Sequence, residues 1–140
     1  MSTVVIDASV AVKWFLPEVH AAAARRVLRG RRTLLAPDLI WAEVGNVMWK
    51  KRRIGEVTAD EARTVLKTFR QFPLETCTTK VLLEPAWELG ERLGITVYDS
   101  LYLVLAMHRR CQLITADAHL RHAVKGDAME RTLLWVEDVR

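Results

Sequence analysis

Four acidic residues, Asp7, Glu43, Asp99 and Asp117, stand where clustered carboxylates could do chemistry. Asp7 directly follows the β-branched run Val4-Val5-Ile6, and Asp117 comes two residues after Thr115, at the end of Gln112-Leu113-Ile114-Thr115. Glu43 falls in the early turns of a long helical pattern, and Asp99 at the head of another. Carboxylates held together repel, and they take up protons or destabilise the fold unless a cation neutralises them. Oxygen-only ligands favour hard ions, Mg²⁺ or Mn²⁺, over zinc. Such ions polarise a phosphodiester and lower the pKa of a bound water toward neutrality.

Each acid also has an ordinary reading. Asp99 and Asp117 are good helix N-caps, and Glu43 could be a solvated helix residue. Only Asp7 resists such a reading, because an unpaired charge at the rim of a buried sheet is costly. No zinc-type pattern competes. Cys77 and Cys111 are far apart in apolar surroundings and read as reduced, packed thiols. His20 and His108 show no ligand spacing, and His119 and His122, one helical turn apart near Asp117, read as surface residues.

The elements that must position these acids follow from local pattern. Val4-Val5-Ile6 lacks polar alternation and reads as a strand buried on both faces. Helices are expected over Ser9 to Leu16, ended by Pro17, and over Val19 to Arg29, stopped by Gly30. Thr33 to Ala36 is a second strand, and Pro37-Asp38 opens a long helix to about Arg53, closed by Gly55. Thr58 and Glu61 form a capping box for a helix ending near Phe72-Pro73. Leu74 to Cys77 is a strand, and Lys80 to Leu93 a helix stopped by Gly94, with Pro85 predicting a kink or a late start. A helix from Asp99 to about Arg110, the strand Gln112 to Thr115, a short helix from Asp117 and a strand over Leu133 to Val136 complete the chain. Short apolar strands alternating with helices indicate an α/β fold with a parallel sheet covered on both faces. Ligands bind such sheets at the carboxyl ends of the strands, where strand order reverses. All four acids could line that edge.

The 140 residues suffice for one domain, 1–140, and a content of 51% hydrophobic residues allows a core without disulfides. No apolar run approaches the roughly twenty residues that span a bilayer, and the start has no basic leader region. A cytoplasmic protein with no membrane contact is expected. The net charge of +4 is modestly basic, and more so for the remaining surface if the acids share one pocket. Two basic runs stand out: Arg25-Arg26 through Arg29-Gly30-Arg31-Arg32, and Lys50-Lys51-Arg52-Arg53. Each ends a predicted helix, where cations complement the macrodipole. Either could instead track a nucleic-acid backbone, and the second is the better candidate. Trp14, Trp41, Trp49, Trp87 and Trp135 read mostly as core or interface residues, although tryptophans can also stack on unpaired bases.

Four segments in order carry a family resemblance. Val5-Ile6-Asp7-Ala8-Ser9-Val10-Ala11-Val12-Lys13-Trp14-Phe15, Glu43 with Asn46 one turn on, Val97-Tyr98-Asp99-Ser100-Leu101-Tyr102 and Leu113-Ile114-Thr115-Ala116-Asp117 resemble PIN-domain proteins of the VapC toxin type. The resemblance spans essentially the whole chain. It implies a PIN-like three-layer fold, a five-stranded parallel sheet with helices on both faces, and a magnesium-dependent endoribonuclease (Mg²⁺ or Mn²⁺). In that family the acids matching Asp7, Glu43, Asp99 and Asp117 hold one or two metal ions, supported by hydroxyls matching Ser9 and Thr115, with Asn46 nearby. It further implies RNA as substrate, a homodimer, and a small VapB-type antitoxin whose C-terminal segment crosses the acidic groove. Trp41 and Trp49 flank the apolar stripe of the long helix and could serve a dimer or antitoxin interface. The mechanism implied is hydrolysis by metal-activated water, with Asp7, Asp99 and Asp117 as direct ligands. Glu43 completes the shell or orients the water.

Rival readings fare worse. A PIN nuclease of RNA processing rather than a toxin has the same residues. A phosphorylation-dependent receiver domain needs paired acids after its first strand and an acceptor aspartate after its third, and neither is present. A phosphatase of the Asp-x-Asp type fails at Ser9. A catalytically dead binding module is disfavoured because all four acids are present.

Overall fold

The computed structural model describes residues 2–140. Val5 and Ile6 are fully buried in β1 (Ser2–Ile6), as a strand without polar alternation requires. β1 pairs in parallel with β2 (Arg32–Pro37) on one side, placing Val5 opposite Leu35, and with β4 (Gln112–Thr115) on the other, placing Val5 opposite Leu113. β3 (Leu74–Cys77) extends the sheet beyond β2, and β5 (Leu133–Trp135) extends it beyond β4, so the order is β3-β2-β1-β4-β5. Parallel neighbours need crossovers, and right-handed ones put the helices after β1 and β2 on one face and those after β3 and β4 on the other. The chain reverses its direction across the sheet between β1 and β4. A crevice is expected at their carboxyl ends.

The helices begin and end where their caps dictate. α1 (Ala8–Ala11) is shorter than the expected Ser9 to Leu16 and passes into a 3₁₀ turn at Val12–Trp14. Trp14 is held by its indole N–H, which donates to the Ala24 carbonyl at 3.0 Å, and by stacking on Phe72. That packing outweighs a continuous helix. His20 adopts a left-handed φ of 67°, so α2 (Ala21–Arg29) cannot begin at Val19. α3 (Leu39–Arg53) and α4 (Ala59–Arg70) form a hairpin, with a small apolar cluster of Met48, Val57 and Val65 between them and the Thr58/Glu61 capping box at the start of α4. α5 (Thr79–Leu93) runs through Pro85 without a late start. The bond that proline forfeits belongs to the carbonyl of Val81, a residue 63% exposed, where water can replace it.

α6 (Val97–His108) starts two residues before the predicted Asp99, because the Thr96 hydroxyl caps it by accepting from the Asp99 backbone N–H at 3.1 Å. α6 packs on α5 and across β1, β2 and β4. This explains why it is apolar nearly all round, from Leu101 to Ala106. α7 (Ala118–Ala123) follows Asp117, and Val136 belongs to a 3₁₀ turn rather than to β5. The first basic run fastens the C-terminus. Arg26 donates to the carbonyls of Glu137 and Val139, and Arg32 to those of Val27 and Arg140. Among the described residues no helix is long and apolar enough to cross a membrane.

Candidate active site

The crevice between β1 and β4 is built around Asp7. It immediately follows β1, is 7% exposed, and caps α1 by accepting from the Val10 N–H at 3.2 Å. Its Oδ1 also accepts from the Ser9 hydroxyl and its Oδ2 from the Thr115 hydroxyl, each at 2.5 Å. Thr115 is fully buried at the end of β4, and its oxygen in turn accepts from the Asp117 N–H at 3.1 Å. The Ser9 oxygen accepts from the Ala116 N–H at 2.9 Å. Two hydroxyls thus tie the end of β1 to the end of β4 and fix the Asp7 carboxyl between them.

Asp117 does serve as an N-cap, accepting from the N–H groups of His119 and Leu120 at 2.9 and 3.4 Å. Asp99 does not: Thr96 has that role, and the Asp99 side chain, in the first turn of α6, meets the Thr96 hydroxyl and caps no backbone N–H. Glu43 projects from α3 and is met by Tyr102, whose hydroxyl donates to Glu43 Oε1 at 2.5 Å. Tyr102 is 2% exposed and lies one turn beyond Asp99 on α6. Sequence reasoning gave it no role. The available signal was its spacing, three residues after an acid, which puts both on one helix face.

Electrostatics joins the four acids. Burial pushes the Asp7 carboxyl up to about 6, against the hydrogen bonds from Ser9, Thr115 and Val10 that favour its charge, and the Asp117 carboxylate adds to the rise. Burial also raises Glu43, with Tyr102 opposing and Asp99 reinforcing. Burial and then Asp117 raise Asp99. The Tyr102 hydroxyl, buried and facing Glu43, is held far above its ordinary range and stays a donor. Each acid therefore lies in the field of at least one other. Among the described residues no three acidic, histidine or cysteine side chains already close on a single point. The donor set is nonetheless all oxygen and excess in negative charge, which fits a hard divalent cation and not zinc.

The remaining candidates are spread around this centre. Asn46 is exposed, one turn after Glu43, and with Lys50 and Tyr98 it lines a groove of about 430 Å³ that Glu43 also borders. Lys51 is engaged elsewhere, bridging Glu18 at 2.6 Å and Glu56 at 2.9 Å. Arg52 is exposed, and the Arg53 guanidinium lies 5.5 Å from the centre of the Trp49 ring. Trp14 is buried and Trp41 and Trp135 half-buried, whereas Trp49 and Trp87 are 60% and 53% exposed and so do not belong to the core. The first basic run spans the end of α2 and the start of β2, where Arg32 lies at the amino edge of the sheet, opposite the acids.

The family model for the PIN domain matches residues 4–126. Ribonuclease VapC3 of Pyrobaculum aerophilum is 33% identical over 118 residues, covering 83% of this chain and 90% of the relative. Exonuclease VapC9 of the same organism is 31% identical over 112 residues, covering 76% and 79%. Among solved structures, VapC20 of Mycobacterium tuberculosis, a Sarcin-Ricin loop cleaving toxin, superposes with a TM-score of 0.66 at 16% identity, covering 90% of this chain and 97% of that one.

Proposed function

The chain belongs to the PIN-domain family and, within it, to the VapC-type ribonucleases; from that premise we propose that it is a divalent-metal-dependent endoribonuclease acting as the toxin of a toxin–antitoxin pair. What supports this reading is the placement of Asp7 and Asp117 at the carboxyl ends of β1 and β4, tied through the Thr115 hydroxyl, with Asp99 in the field of Asp117 and Glu43 in that of Asp99. Asp7, Asp99 and Asp117 would hold Mg²⁺ or Mn²⁺. When bound, such a cation supplies positive charge to the phosphate and acidifies water.

The chain's own residues do the positioning. Ser9 and Thr115 fix Asp7 through both of its oxygens. Tyr102 occupies Glu43 Oε1, which leaves Oε2 to orient a water for in-line attack on phosphorus. The attacking water gives up a proton to solvent, the bond from phosphorus to the leaving ribose oxygen breaks as the new bond forms, and solvent returns a proton to that oxygen. Lys50, Arg52 and Arg53 form no ion pair among the described residues and would attract the RNA backbone; Lys51, already paired, contributes less. A homodimer would have an exposed apolar pair available on α5, Leu83 and Trp87, one turn apart. A cytoplasmic location accompanies an RNA substrate.

Replacing Asp7 by Asn is expected to abolish divalent-dependent RNA cleavage while circular dichroism shows the fold intact. Full activity in that variant would overturn the assignment. A circular RNA substrate separates internal cutting from end trimming: linearisation is expected, and resistance of the circle beside degradation of its linear form would assign an exonuclease. Growth arrest by the wild type, absent with Asp7→Asn and relieved by a small co-expressed antitoxin, is expected of a toxin rather than a processing enzyme.

A further inference from the structure

We propose that the groove beside Glu43 is a nucleobase pocket. It would receive a base flanking the cut phosphodiester, stacked on Tyr98 and read by Asn46, with Lys50 meeting the adjoining phosphate. This rests on the ribonuclease reading above and adds the determinant of sequence preference.

The groove, about 430 Å³, lies within the range of roughly 300–1,000 Å³ common to small-ligand sites. Ala8, Leu39 and Val47 give it apolar walls from α1 and α3, and Tyr98 comes from the first turn of α6. Tyr98 is 59% exposed, and its ring stacks on no other aromatic ring among the described residues. An unpartnered phenol beside apolar walls suits a flat ring, because every base has a π-face that can stack on an aromatic side chain.

The polar groups have the matching chemistry. The Asn46 amide offers both a donor and an acceptor, the combination that a Watson–Crick edge needs. Its exposed side chain bonds none of the four acids, so it is free to face a ligand. Lys50 lies one turn further along α3 on the same groove and carries the positive charge that a phosphate requires. Glu43 borders both the groove and the acidic field, so a base in the groove is adjacent to a phosphate at the acids. Glu43 would also repel an anion, which turns the phosphate toward Lys50. A peptide could fill the walls and bond the Asn46 amide through its backbone, but only an acidic one would also meet the ammonium. A nucleotide engages all three.

The test uses the full-length protein carrying Asp7→Asn, which keeps RNA intact, and short single-stranded oligoribonucleotides differing in one base beside the cleavage site. Tyr98→Ala is expected to weaken binding about tenfold, and Tyr98→Trp to restore it, with melting temperatures unchanged in both. Asn46→Ala is expected to erase differences in affinity among the four oligonucleotides, and Lys50→Gln to lower the salt dependence of binding. An oligonucleotide carrying 5-iodouridine at that base should photocross-link to Tyr98. If the wild type cleaves RNA but Tyr98→Ala and Asn46→Ala bind like their parent, the pocket is wrong and the nuclease reading stands. If the wild type neither binds nor cleaves RNA, the nuclease reading itself fails. Normal RNA binding by Tyr98→Ala together with escape from a co-expressed antitoxin would assign the groove to a protein segment and overturn the proposal.

Discussion

Tyr102 shows how much of the site is orientation rather than charge. Its hydroxyl costs little to bury because it has an anionic acceptor in Glu43, and hydrogen bonds to charged groups are worth about 1.5–3 kcal/mol. Removing the hydroxyl leaves the ring's packing in place and frees Glu43 Oε1 to turn. Tyr102→Phe is therefore expected to lower the rate of RNA cleavage by about 10–100-fold with RNA affinity unchanged, because a Glu43 free to turn no longer positions the attacking water. An unchanged rate would show that Glu43 is held by α3 alone. Ser9 and Thr115 present the same logic at Asp7, where two hydroxyls compensate a carboxyl that burial would otherwise keep protonated.

At the scale of elements, α6 carries Asp99 and Tyr102 and is set in place by α5. Gly90 on α5 makes that contact possible. A Cβ built there would come within 2.9 Å of the Ile95 carbonyl and 3.1 Å of the Ser100 hydroxyl. Alanine favours helices over glycine by about 1 kcal/mol, but forcing an atom into packed surroundings costs about 1–3 kcal/mol. The clash falls on backbone, which yields less readily than a side chain. Gly90→Ala is accordingly expected to lower the urea midpoint despite its better helix propensity. A raised midpoint would mean that the interhelical contact gives way freely.

The whole molecule carries a net charge of +4 while concentrating repelling acids in one crevice. This has a consequence for stability. Folded Asp7 keeps its proton up to pH about 6, whereas an unfolded aspartate releases it near 3.8. Between these values the native state binds more protons, so stability is highest below the lower value and falls as pH rises through the upper one. The loss attributable to Asp7 is about 3 kcal/mol at neutral pH. Urea unfolding in chelator from pH 4 to 7 is expected to show this decline in the wild type and a weaker one in Asp7→Asn. Adding Mg²⁺ or Mn²⁺ at pH 7 should restore stability in the wild type, since a ligand that binds only the native state stabilises it. A pH-independent difference between the two proteins would contradict the burial of Asp7.

The sequence by itself determined the strands and the acids. Short uninterrupted apolar runs between helical segments are covered on both faces in a parallel sheet, and Asp7 follows one such run directly and Asp117 another by two residues. Local caps also made Thr58/Glu61 and Gly94 readable as helix boundaries. The tertiary structure decided what depends on partners distant in sequence. It gave the cap of α6 to Thr96 and so released Asp99, and it broke the first helix to dock Trp14 against Ala24 and Phe72. It also divided the basic runs, tying Arg26, Arg32 and Lys51 to acceptors while leaving Lys50 on the groove. Tyr102 meets Glu43 across 59 positions of chain. No local pattern encodes such a contact, because it exists only once α3 and α6 are brought together over the same edge of the sheet.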